Sequence, residues 1–243
     1  MKIIEKNQEK IMITEDMSET LANAIRRTIM EVPVLAVDEV EIFKNDSVLY
    51  DEVVAHRIGL IPLKMEENKG KKKANEEMVL KLVKKGQGMV YSGELSGATE
   101  AVFGKMPITL LTEGQELEIL ATARLGKGIE HAKYSPGIMH YREYYEATPK
   151  KGTELCNECL ANVTKKLLNY GEGEEDLEFL KYECKTCNTE IGKFIKENNK
   201  TMEIKKGQGI IITIESFGQM PAETILRKAM TILKENTEAL AKK

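Results

Sequence analysis

The chain has 243 residues, 42% hydrophobic and 31% charged, enough for one large domain or for a core domain carrying one or two insertions. A net charge of −3 supplies no overall basic field, which argues against a stand-alone DNA-binding protein but not against a subunit whose partners carry the basic surface. The longest apolar runs, such as 32–37 and 209–214, fall far short of the ~20 residues of a membrane span, and residues 1–13 hold no signal-type apolar core. A cytoplasmic protein with no membrane partner is therefore expected.

Residues 1–13 alternate loosely and predict an opening strand. Asp16 followed by Glu19 resembles a capping box. Leu21, Ile25, Ile29 and Val32 then fall on one helical stripe, with Arg26 and Arg27 off it, and Pro33 ends the helix at Val32. The β-branched run VLAVDEVEIF (34–43) reads as a strand, and DEVVAHRIGLIPLK (51–64) as a helix start with an apolar exit. NKGKKKANEE (68–77) reads as a solvated lysine-rich loop. Segments 84–95 and 108–128 look like short strands joined by glycine turns. The pentapeptide KKGQG recurs at 84–88 and 205–209, predicting two similar turns. GKGIEHAKYSPG (126–137) is a long glycine- and proline-rich segment mixing His, Lys and Tyr. Residues 209–217 form a further strand, and a helix after Pro221 places Ile225, Ala229, Ile232, Leu233 and Leu240 on one stripe.

The chain thus opens and closes with strand–helix units, which predicts an α+β fold. A discontinuous core domain, with a sheet and two long amphipathic helices, takes residues 1–45, 125–147 and 204–243. A mostly-β insertion occupies 46–124, and a cysteine-containing insertion 148–203. Burying each Leu, Ile or Val of the two stripes is worth roughly 1.5–3 kcal/mol, a gain that needs apolar surface opposite. An intramolecular helix pair and a dimer with an equivalent pair both provide it.

The four cysteines form two C-x-x-C pairs, Cys156/Cys159 and Cys184/Cys187, with 24 residues between them. Two-residue spacing lets both thiolates of a knuckle reach one ion, and two knuckles complete a tetrahedral, closed, structural zinc site. Unmetallated thiols or disulfides are an alternative, as is an iron–sulfur cluster or its relic. His56, His131 and His140 stand apart from the cysteines and lack His-x3-His spacing, so each reads first as a packed or surface residue. G-x-S-x-G, a Walker loop and an Asp-rich metal motif are all absent, and no catalytic residue is expected in this chain.

LANAIRRTIMEVPVLAVDEVEI (21–42), DEVVAHRIGLIPL (51–63), GKGIEHAKYSPG (126–137) and IESFGQMPAETILRKAMTIL (214–233) resemble the signature stretches of the α-like subunits of cellular RNA polymerases. The nearest form is the archaeal one, lettered D, which is related to the bacterial α amino-terminal domain and the eukaryotic third-largest α-like subunits. The resemblance implies that the core domain is a dimerisation domain pairing with the small α-like subunit L. Leu21, Ile25, Ile29, Val32, Ile225, Ala229, Ile232 and Leu233 would form the shared apolar core. It further implies an assembly platform for the two large catalytic subunits, joined by small subunits N and P, without sequence-specific nucleic-acid binding. Arg26, Arg27, His56, Arg57, His131, Lys133 and Tyr134 match stretches of the docking surface. The cysteines depart from the ferredoxin-type pattern of many archaeal relatives: neither run has a third cysteine and there is no Cys-Pro, so zinc or no metal suits them better than a cluster. The rival reading is a free-standing zinc-ribbon nucleic-acid-binding protein, which would need a basic face; GEGEEDLE (171–178) is acidic instead.

Overall fold

Among the described residues the strands build three sheets, and the faces they bury position the site. The computed structural model describes residues 2–65, 78–149 and 202–242. Their elements are strands β1 (Lys2–Lys6) and β2 (Lys10–Glu15), helix α1 (Glu19–Thr28), β3 (Val34–Asn45), helix α2 (Asp51–Gly59), β4 (Met78–Lys85), β5 (Gly88–Tyr91) and β6 (Ser96–Gly97). These are followed by β7 (Pro107–Leu111), β8 (Glu116–Gly126), β9 (Gly137–Pro149), β10 (Met202–Ser216) and helix α3 (Ala222–Ala241). The strands order as β1-β2-β10-β9 and β3-β8-β4-β6, with β5 and β7 as a separate pair. Three α-helices on antiparallel strands among the described residues bear out the expected α+β class. The described residues fall into two compact units, 2–4, 12–22, 140–149 and 202–213 in one, 5–11, 23–65, 78–139 and 214–242 in the other.

In the first unit, helix α1 starts differently from the sequence expectation. The Leu21 N–H donates to Ser18 Oγ at 3.3 Å and the Ala22 N–H to the Ser18 carbonyl at 3.1 Å, so Ser18 caps the helix and Asp16 does not. The second KKGQG copy lies within β10 and makes no turn. Its Gly209 takes φ +93°, where a Cβ would stand 2.4 Å from the Glu15 carbonyl oxygen, so glycine is required by the close approach of two backbones.

In the second unit, the expected single opening strand is broken by a turn. Asn7 Oδ1 accepts the backbone N–H groups of Glu9 and Lys10, so β1 ends at Lys6 and β2 begins at Lys10. Helix α1 is also shorter than the stripe implied. It gives way at Ile29–Glu31 to a 3-10 turn, and Val32 is already extended, because Pro33 bars helical geometry before it.

Strand β3 pairs with β8 from Val34↔Gly126 to Asn45↔Leu117, and β8 pairs on its other side with β4. On β8, Leu117, Ile119, Ala121 and Ala123 alternate inward, and Leu80 and Leu82 of β4 do the same. With Leu35 and Val37 of β3, Val54 and Ile58 of α2, and Ile61 and Leu63 beyond it, they make one apolar cluster. Residues 34–45, placed by the sequence in the core domain, therefore pair and pack with the 46–124 segment. The first KKGQG copy does form a turn, with Gly86 and Gly88 both at positive φ between β4 and β5. A second glycine turn at Gly114 joins β7 to β8, as predicted. Helix α3 buries Ala222, Ile225, Leu226 and Ala229 and packs on the Ile29–Glu31 turn, where Asn236 Nδ2 donates to Glu31 Oε2 at 3.0 Å.

Replacing Ser18 with alanine is expected to cost about 1 kcal/mol, while Asp16→Ala changes stability by less than about 0.5 kcal/mol. Denaturant unfolding of the two variants measures the difference.

Candidate functional site

Strand β3 buries its first four residues, Val34 to Val37, and alternates only beyond them. The acids Asp38-Glu39 stand at that change, where the strand carries a β-bulge. Val37 faces Ala123 and Glu39 faces the next residue, Thr122, which leaves Asp38 as the extra residue of the ladder. The bulge aims the Asp38 carboxylate sideways, toward the end of β8 and the 126–137 segment.

Three donors converge on it. Arg124 Nε of β8 donates to Oδ2, while Lys133 Nζ and the Tyr134 hydroxyl donate to Oδ1 at 2.7 and 2.9 Å. Lys133 and Tyr134 come from a 3-10 turn, Ala132–Tyr134. The His131 side chain caps this turn: its Nδ1 accepts the Lys133 N–H at 3.1 Å. The Tyr134 ring is fully buried, with Lys133 Nζ 5.0 Å and Arg124 Cζ 5.6 Å from its centroid. Gly126 makes room for that ring, since a Cβ there would lie 2.6 Å from it. The segment is anchored at its other edge by Met30, whose carbonyl accepts the Ile129 N–H at 3.2 Å.

The electrostatics follow from this geometry. Hydrogen bonds from Arg124 and then Lys133 hold the Asp38 carboxyl well below the usual aspartate range, against the opposing effect of burial. Asp38 in turn raises the Arg124 guanidinium. Burial first, and the Asp38 carboxylate second, push the Tyr134 hydroxyl up to about 12.

Beside this network, between β3 and α2, lies a cavity of about 270 Å³. Val37, Asp38 and Val40 of β3 line one side, and Ala55, His56, Gly59 and Leu60 the opposite side. His131 and Lys133 close it. The structure thus brings together four residues that the sequence singled out, His56, His131, Lys133 and Tyr134, in one place. Arg57, on the same helix, is turned elsewhere and donates to the Pro107 carbonyl at 3.1 Å. Arg26 and Arg27 are exposed on α1, and Arg26 bonds Asn23 of its own helix at 3.0 Å.

The helix stripes are placed unevenly. Ile25, Ile29, Val32, Ile225 and Ala229 are buried within this chain, Ile232 and Leu233 are partly buried, and Leu21 is 45% exposed. Cys156, Cys159, Cys184 and Cys187, with the acidic and lysine-rich stretches around 171–178 and 68–77, lie outside the described residues. Among the described residues no group of three or more His, Cys, Asp or Glu could hold a metal ion, and no helix is long and apolar enough to cross a membrane. Asp38 and Arg124 were not singled out from the sequence; the available signal was the pair of adjacent acids that ends the apolar run 34–37.

The chain belongs to the family described as the RNA polymerase Rpb3/Rpb11 dimerisation domain, which matches residues 12–237. It is 35% identical, over 98% of its length and 94% of the relative, to the DNA-directed RNA polymerase subunit Rpo3 of Thermococcus kodakarensis. It is 36% identical to Rpo3 of Pyrococcus horikoshii over 96% of this chain and 93% of that one. Rpo3 of Archaeoglobus fulgidus is 31% identical over 100% and 96% respectively. The family resemblance read from the four sequence stretches is borne out. A single family spanning residues 12–237 gives the free-standing zinc-ribbon reading no support.

Asp38→Asn removes the charge that Arg124 and Lys133 share, and its expected cost is roughly 1.5–3 kcal/mol. The pH window has two edges. A depressed carboxyl stabilises above the unfolded aspartate pKa of about 4 and loses that contribution as pH falls through the folded value. A raised tyrosine stabilises below about pH 10 and loses its contribution as pH rises toward 12. Stability attributable to the network should therefore be flat between about pH 4 and 10, and the difference between wild type and Asp38→Asn should shrink below pH 4.

Proposed function

We propose that this chain is the α-like subunit of an archaeal DNA-directed RNA polymerase, the one called D or Rpo3, and that it assembles the enzyme without catalysing its reaction. The phosphodiester chemistry belongs to the large subunits. The observation that carries the reading is the family match over residues 12–237, together with near full-length similarity to subunits named Rpo3.

The dimerisation partner is the small α-like subunit L. On α3, the face beyond Ala229 supports this: Ile232 and Leu233 are only partly covered, and Met230 is half exposed. On α1, Leu21 is the exposed member of the stripe. The buried members, Ile25, Ile29, Val32, Ile225 and Ala229, hold the helices in place beneath those surfaces. Obligate interfaces of this type bury about 2,000 Å² or more, and partners often lack separate stability. The large catalytic subunits, with N and P, dock through Arg26 and Arg27 on α1, Arg57 on α2, and the His56, His131, Lys133 and Tyr134 cluster. Tyr134 acts there from below, by fixing the turn that presents His131 and Lys133.

The 148–203 block is an insertion in the dimerisation domain, and its four thiolates form a closed structural zinc site. The donor set fits zinc, because two C-x-x-C knuckles supply four soft ligands and leave no position open for water. Such a site supplies folding free energy to a small insertion.

Ile232→Asp should leave the chain folded and weaken pairing with the small α-like partner by about 100-fold, since the charge enters an apolar seam at roughly 3 kcal/mol. Ile25→Asp should instead unfold the chain, because Ile25 is buried within it. Co-purification with the partner, read beside circular dichroism, separates the two; normal pairing by Ile232→Asp would refute the interface. Elemental analysis of anaerobically purified complex should find one zinc per chain and no visible colour. Iron with a brown colour would replace the zinc assignment by a cluster.

A further inference from the structure

We infer that the cavity between β3 and α2 binds a side-chain carboxylate, an Asp or Glu presented by a partner protein chain. The inference rests on the docking reading above for the source of that carboxylate, and on the polar groups of the cavity for its chemistry.

Of the four polar side chains that line the cavity, Lys133 and His131 offer donors, His56 has a ring N–H to offer, and Asp38 is the acceptor. Asp38 already accepts three hydrogen bonds, from Lys133 and Tyr134 at Oδ1 and from Arg124 at Oδ2. The Lys133 ammonium carries three N–H groups and gives one of them to Asp38. His131 accepts a backbone N–H at Nδ1, which leaves the ring proton on Nε2 and makes that nitrogen a donor. His56 lies exposed in the last turn of α2, across the cavity from Lys133. The charges also fail to cancel locally, because the single carboxylate of Asp38 faces both Arg124 and Lys133. Glu130, which acts on Arg124 and Tyr134, does not line the cavity.

A ligand that completes this arrangement brings acceptor oxygens and one negative charge. Val37, Val40, Ala55 and Leu60 form apolar walls between the donors, which suits the methylene stem of an acidic side chain. The volume, about 270 Å³, leaves space for some of the backbone on either side of that side chain. Strand β3 is the edge of its sheet, so a partner segment can approach the cavity in extended form.

The test follows the imidazole resonances of His56 and His131 by NMR in the full chain paired with its small partner. N-acetyl-glutamate N-methylamide should shift both saturably, with affinity about tenfold above that of the glutamine analogue, as expected for charge-assisted hydrogen bonds. His56→Ala should weaken the glutamate analogue several-fold without altering the Tyr134 resonances. Silence toward the glutamate analogue, or equal response to glutamine, would overturn the inference. Inorganic phosphate binding as strongly as the glutamate analogue would also overturn it, in favour of a free-anion site. Capture of the large subunits by a chain whose cavity is silent would sink the carboxylate inference alone. A responsive cavity on a chain that captures no large subunit would uphold the carboxylate and sink the docking reading.

Discussion

One carboxylate organises this molecule's most informative surface. Asp38 is held by Arg124, Lys133 and Tyr134, which come from a strand and a turn 86 to 96 positions further along the chain. The carboxylate is partly exposed, and the three donors that meet it hold it ionised and fix its direction. Loss of any one donor leaves the others facing an unbalanced group. The bulge at Asp38, the glycine at 126 and the histidine cap of the 132–134 turn are each needed to let the donors arrive together.

The network also explains why an irregular glycine- and proline-rich segment can present side chains in fixed positions. Tyr134 fills the space over Gly126 and is satisfied at its hydroxyl, so the turn cannot roll without burying an unpaired group. His131 and Lys133 then point where the turn dictates. Helix α2, seated by Val54 and Ile58 in the apolar cluster, supplies the opposite wall. Two segments that are remote in sequence meet over one cavity because each is tied separately to β3.

Much of this architecture was legible in the residues. Alternation on β8 and β4, the glycine turns at 86–88 and 114, and the helix begun at Asp51 all follow local rules, and local rules sufficed. The failures share a cause. Asp16 and Ser18 are both acceptable caps, and only the path of the chain chose Ser18. Two identical KKGQG stretches took different structures because the second borders another strand, at Glu15, whose backbone no sequence window contains. The 3-10 turn after Thr28 was hidden because stripe spacing cannot tell a helix from the tighter turn that ends it. For the site, His56, His131, Lys133 and Tyr134 were recognisable as motif members, but their meeting was not, since it depends on a bulge that pairs residues from distant strands. Asp38 looked like one more surface acid in a strand.

The pairing of β3 with β8 joins residues separated by some 70 to 90 positions, and it brings a kinetic consequence. Long-range antiparallel pairing forms late, because the entropy of closing the intervening loop is lost before the contacts reward it. During synthesis the cavity cannot exist until the chain has passed Lys133 and the whole sheet has zipped. Helix α3, which packs on the Ile29–Glu31 turn that ends α1, is made later still, so a nascent chain can complete the β3–α2 cavity before that turn is covered.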